Sequence, residues 1–107
     1  MKVETVLLTK LIEACLNLSM DSAIPPAQRK EFLALAKRLR GTLMNLLTAT
    51  FREGTPAVEA ANKSVRSLDR TLSRKAAELT NLAETIAEIA ALVGGLDDLL
   101  KLPVKFK

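Results

Sequence analysis

The feature that most constrains the fold of this chain is an uninterrupted apolar repeat over residues 56–93, in which neither glycine nor a further proline follows Pro56. Apolar residues recur there at alternating steps of three and four, which is the seven-residue pattern of a coiled coil. The only miss is Lys75, where Ala76 can take over. A continuous helix of this length would be roughly 57 Å long. The repeat consists of Val58, Ala61, Val65, Leu68, Leu72, Leu79, Leu82, Ile86, Ile89 and Val93.

This repeat predicts an all-α protein. We expect an antiparallel helical bundle of three main helices, in which the third is long and coiled-coil-like. The alternative is a break near Thr80-Asn81, which would divide the long helix and give a four-helix up-down bundle.

Prolines and glycines set the other predicted boundaries, within a single helical domain over residues 1–102. A first helix over about 2–21 ends before Pro25 and Pro26, and a second runs over about 26–52. Gly54 suits a left-handed C-terminal cap, and Thr55 suits an N-cap for the third helix. Gly94-Gly95 is predicted to end that helix at 93. A short helix over 96–102 and a frayed basic tail over 103–107 complete the prediction. Gly41, inside the second helix, permits either a close helix approach or a bend.

The composition argues against a disordered chain, an internal disulfide and a membrane-spanning helix. The chain has 107 residues, of which 49% are hydrophobic, 26% charged and only 3% aromatic, a balance typical of one globular, helix-rich domain. The one cysteine, Cys15, lies on an apolar helical face, so we expect a small buried hydrophobe in a reducing, cytoplasmic setting. No signal peptide is apparent. The longest uncharged run, residues 41–51, is far shorter than the ~20 residues needed to span a bilayer.

The residues needed for common catalytic and metal sites are missing. The chain contains no histidine, so its serines, threonines and Cys15 lack the usual activating base. Glu84 and Glu88 lie one helical turn apart, but carboxylate metal sites in bundles normally also use histidine. We therefore expect no enzymatic activity, no bound metal and no cofactor.

Charge is distributed unevenly along the chain. Residues 28–75 carry eleven bases and four acids, whereas residues 76–100 carry five acids and no base. Lys63, Arg66, Arg70 and Arg74 follow helical steps of three and four and form a basic ridge opposite the apolar repeat. A solvated helix face is the ordinary interpretation of such a ridge. The functional alternative is contact with nucleic acid, although the aromatic residues that stack on bases are scarce.

The length of the predicted third helix points to self-association. Two helices of about 20–27 residues would cover only its first two-thirds, so the apolar residues beyond that would need a partner. The predicted self-association interface comprises Leu72, Ala76, Leu79, Leu82, Ile86, Ile89 and Val93. Antiparallel pairing of two copies would bring Lys63 opposite Glu88.

The sequence thus predicts a non-enzymatic helical interaction module, a homo-oligomeric adaptor or structural protein. The alternative is a small nucleic-acid-associated protein that uses the basic region of the second and third helices. A third possibility is an accessory subunit that regulates an enzyme.

Overall fold

The computed structural model describes residues 2–52, 54–72, 81–102 and 105–106. Four helices and two short strands lie within these residues, which confirms the predicted all-helical class. In chain order the elements are α1 (Thr5–Ser19), α2 (Pro26–Leu46), β1 (Ala49–Thr50), α3 (Pro56–Leu72), α4 (Leu82–Leu99) and β2 (Lys105–Phe106).

The turn between α1 and α2 follows the proline signal. The Asp21 carboxylate accepts a hydrogen bond from the Ala23 N–H at 2.9 Å, and Ile24 is buried against the core. Pro25 is the N-cap residue and Pro26 opens α2, where the missing proline N–H removes no helical hydrogen bond.

The second helix ends at Leu46, so the predicted end near residue 52 is wrong. Ala49 and Thr50 pair instead with Phe106 and Lys105 in a two-stranded antiparallel ladder. Ala49 and Phe51 are buried, and this burial together with the ladder favours an extended chain over a further helical turn. Residues 105 and 106 are consequently paired, not frayed as predicted.

The helix predicted from the apolar repeat over residues 56–93 is interrupted at Asn81. This residue is extended, with φ −146° and ψ 92°, and its side-chain oxygen accepts a hydrogen bond from the Glu84 N–H at 3.0 Å. The Asn81 amide also donates to the Glu84 carboxylate at 3.3 Å. Such reciprocal bonding is a helix start signal. The predicted continuous helix is therefore wrong at Asn81, and the alternative break near Thr80-Asn81 agrees with this cap. Residues 73–80, among them Lys75 and Ala76, lie outside the described residues.

The Gly94-Gly95 pair does not end a helix, contrary to prediction. Helix α4 runs through it to Leu99, and no separate helix begins at residue 96. Each glycine costs about 1 kcal/mol relative to alanine inside a helix. Leu96 and Leu99 are fully buried, and burying a leucine contributes about 1.5–3 kcal/mol. Apolar burial beyond the glycines therefore outweighs their backbone cost.

Packing between the helices joins all four around one buried cluster. Helix α1 packs against α2 and α3, and α4 packs against the same two helices. The C-terminal ends of α2 and α4 lie together. The Thr42 hydroxyl donates a hydrogen bond to the Asp97 carboxylate at 3.0 Å, and the strands that follow the two helices pair with each other. Arg38 lies 3.6 Å from the same carboxylate. Asp97 thus links α2 to α4 near the end of α4.

The cap at Asn81 gives a prediction whose sign separates a new helix from a continuous one. Replacing Asn81 by alanine should lower the free energy of unfolding by about 1 kcal/mol, because the Glu84 N–H loses its acceptor. In a continuous helix the same change would raise stability, since alanine is the better helix former. Urea denaturation measures the difference, and stabilisation by Asn81→Ala would contradict the cap.

Glycine positions provide a second, matched prediction. A Cβ atom would meet nothing within 4 Å at Gly54 or Gly95, but Gly54 has a φ of +74°, and it lies in the turn before α3 instead of capping α2. We expect Gly54→Ala to destabilise the protein by about 1 kcal/mol because of its left-handed backbone. We expect Gly95→Ala to stabilise it by about 0.5–1 kcal/mol. Thermal or urea unfolding of both variants tests this, and equal effects would contradict the backbone argument.

Candidate interaction surfaces

The described residues of the predicted self-association interface are buried or partly buried. Ile89 and Val93 are both 0% exposed, and Leu72 is also buried. Leu82 and Ile86 are partly buried and pack against the core. Ala76 and Leu79 lie outside the described residues. The expectation of an uncovered stripe is wrong for Ile89 and Val93, because α4 packs back against α2 and α3.

The predicted basic ridge is partly engaged within the chain. Arg66 donates to the Glu4 carboxylate at 3.0 Å, across the boundary between α3 and α1. One turn earlier on α3, Asn62 accepts from the Glu4 N–H at 2.8 Å and donates to the Lys2 carbonyl at 3.2 Å. Lys63 and Arg70 are exposed, and Arg74 lies outside the described residues. This face of α3 therefore anchors the start of α1 as well as facing solvent.

A groove of about 570 Å³ runs between α3 and α4. Most of the side chains along it are small, because both helices present alanine, serine or glycine at steps of three and four. Glu88 and Asp98 are the first and last α4 residues of the groove, and both are exposed. A helix packs at an axial distance of 8–10 Å that depends on the side chains at the contact, so small residues permit close approach. The exposed small lining residues are Ala57, Ala60, Ser64, Ser67, Ala91 and Gly95.

The outward face of α2 has a different character. Leu33 and Met44 are exposed there, Met44 to 67%, although both are large and apolar. Lys30, Lys37 and Arg40 are exposed on the same side of the helix. At 100° per residue these five residues fall within one sector of about 80°. We call them the basic α2 face.

The sequence analysis identified neither surface. With residues 56–93 taken as one helix, α3 and α4 have no mutual groove. Leu33 and Met44 lie off the buried stripe of α2 by roughly a third of a turn or more, and this offset was the available signal for the basic α2 face.

Cys15 is confirmed as a buried hydrophobe. It is 0% exposed in the α1 face that packs into the core. Burial raises its pKa from 9.0 to about 12, because desolvation disfavours the thiolate.

The described residues form neither a candidate metal site nor a membrane-spanning helix. No three histidine, cysteine or acidic side chains among them are placed to share a metal ion. Of the four described helices, none has the length and apolar character required to cross a bilayer.

Comparison with known proteins yields no relative: the chain matches no family model and no curated protein, and no solved structure matches it.

The burial of Cys15 predicts a protected thiol. At pH 8 a disulfide reagent such as dithionitrobenzoate should react with the native protein far more slowly than with the protein in denaturing urea, because the native thiolate population is very small. Stability should also fall as pH rises from 9 towards 12, since the unfolded thiol ionises first. Rapid labelling without denaturant would contradict the placement of this side chain.

Proposed function

We propose that this chain is a non-enzymatic helical interaction module that self-associates, and that the groove between α3 and α4 receives an α-helix from the partner molecule. The groove is the observation that carries the proposal. Its length along each helix is about ten residues, or about 15 Å, which is close to three helical turns.

The small side chains of the groove support a helix as the occupant. Helix-in-groove recognition places large apolar side chains of one helix into a concave surface of another protein. The exposed alanine and serine residues on α3 and Gly95 on α4 leave room for such side chains without displacing the core. We also propose that the four helices form an up-down bundle, since each contacts two others around one core and the C-terminal ends of α2 and α4 lie together.

We do not propose self-association through Leu72, Ile89 and Val93, because these side chains are buried in the core. Using Ile89 or Val93 as a contact would require the core to open. The groove and the outward helix faces provide contacts that leave the fold unchanged.

Nucleic-acid binding remains the alternative outcome. Its support is the set of exposed bases on α2, together with Lys63 on α3. Binding of this kind depends steeply on salt because the bases release counterions from the phosphates.

Sedimentation velocity over a concentration series tests the proposal. The weight-average sedimentation coefficient should rise with protein concentration, and Gly95→Leu should weaken the association by at least about tenfold by filling the groove. Gly95 lies inside α4 with open space around it, so the variant should stay folded. Asn17→Leu is the matched control, because it adds the same side chain to the exposed surface of α1.

Two results would overturn the proposal. One is a wild-type protein that stays monomeric at every concentration. The other is association that Gly95→Leu leaves unchanged. Fluorescence anisotropy with a labelled DNA duplex and a labelled single strand, at low and high salt, checks the alternative; strong salt-dependent binding by a monomer would favour nucleic acid as the partner.

A further inference from the structure

Helices α2 and α4 carry opposite charge. Helix α2 holds five bases and one acid, a net +4, whereas α4 holds four acids and no base, a net −4. The salt bridge between Arg38 and Asp97 joins the two helices within one molecule. The three bases of the basic α2 face, Lys30, Lys37 and Arg40, have no ion pair with any residue that the structure describes.

The acids of the groove are similarly available. Glu88 forms no ion pair with a described residue. Asp98 lies 3.4 Å from Lys101, but both side chains are more than three-quarters exposed, and exposed pairs of this kind contribute little. A base from a second molecule can therefore approach either carboxylate.

The spacing of these charges matches between the two surfaces. Lys30 and Arg40 are ten residues apart on α2, and Glu88 and Asp98 are ten residues apart on α4. Each separation is about 15 Å along a helix axis. If Lys30 and Arg40 of one molecule were placed over Glu88 and Asp98 of another, the large side chains of the basic α2 face would lie along the small residues of the groove.

Resting on the proposed function, we infer that the occupant of the α3–α4 groove is the basic α2 face of a second copy of this chain. The face is basic with large apolar side chains, and the groove is acidic with small ones, so the two are complementary in charge and shape. Each molecule carries both surfaces. The contact joins unlike surfaces, so it is head-to-tail, and its repetition generates a closed ring or a linear chain of copies.

Two variants, each with one surface disabled, test this arrangement. Gly95→Leu fills the groove and keeps the basic α2 face. The double variant Arg40→Glu with Met44→Glu keeps the groove and puts two acids on the basic α2 face. Both substituted residues of the double variant are exposed, so folding should be unaffected. The matched control is Val6→Glu with Lys10→Glu, which makes the same chemical changes at the same four-residue spacing on α1, where Val6 is 72% exposed.

Sedimentation velocity and multi-angle light scattering give the readout. We expect each disabled variant alone to be monomeric, with association weakened at least about tenfold. We expect their equimolar mixture to form a discrete one-to-one dimer, because one partner supplies the only intact groove and the other the only intact basic face. The α1 control should assemble like the wild type. Higher salt should weaken the assembly of the wild type and of the α1 control.

Failure of the inference differs from failure of the proposed function. If Gly95→Leu abolishes association while the α2 double variant assembles normally, the groove receives another element and this inference is wrong. An equimolar mixture that stays monomeric would likewise contradict a head-to-tail contact. If Gly95→Leu has no effect, or the wild type is monomeric, the proposed function itself fails.

Discussion

The start of a new helix at Leu82 is the constraint on which the rest of the structure depends. The apolar pattern before and after it would continue along one straight helix, with its second half projecting from the molecule. The extended backbone of Asn81 and its capping bonds to Glu84 begin α4 afresh instead. Helix α4 then packs against α2 and α3, and its apolar face becomes core.

The placement of α4 also decides which surfaces are left outside. It brings the acidic helix beside the basic α2, where Arg38 and Thr42 hold Asp97. It also forms the groove with α3, and small side chains line this groove between Glu88 and Asp98. Exposed bases thus lie outward on α2, and exposed acids lie along the groove. Self-association by head-to-tail contact follows as a proposal from this geometry.

The fold class and several boundaries could be predicted because they depend on local chemistry. The paired prolines before α2, Pro56 at the start of α3 and the apolar face around Cys15 are examples. The errors came where tertiary packing overrides local preference. Leu96 and Leu99 carry α4 through two glycines, and pairing with residues 105–106 ends α2 early. A heptad pattern by itself does not distinguish one long helix from two helices that pack on each other.

The candidate surfaces could not be predicted for a related reason. The groove exists only once α3 and α4 are neighbours, and the role of Arg66 depends on Glu4, which lies far from it in sequence. The exposed apolar side chains of α2 could be predicted from their angular offset from the buried stripe of that helix. The offset alone does not indicate an interaction surface, because the complementary groove is not known from the sequence.

The most direct test of the central claim is a distance measurement between spin labels at Ala57→Cys and Asp98→Cys. Buried Cys15 should remain unlabelled. Both positions line the groove between α3 and α4, and the longest dimension of the molecule is 42 Å. Electron–electron double resonance on dilute protein should therefore give a distance well below 42 Å. A continuous helix would separate the two positions by about 61 Å, and a single distance near that value would contradict the fold and every surface derived from it.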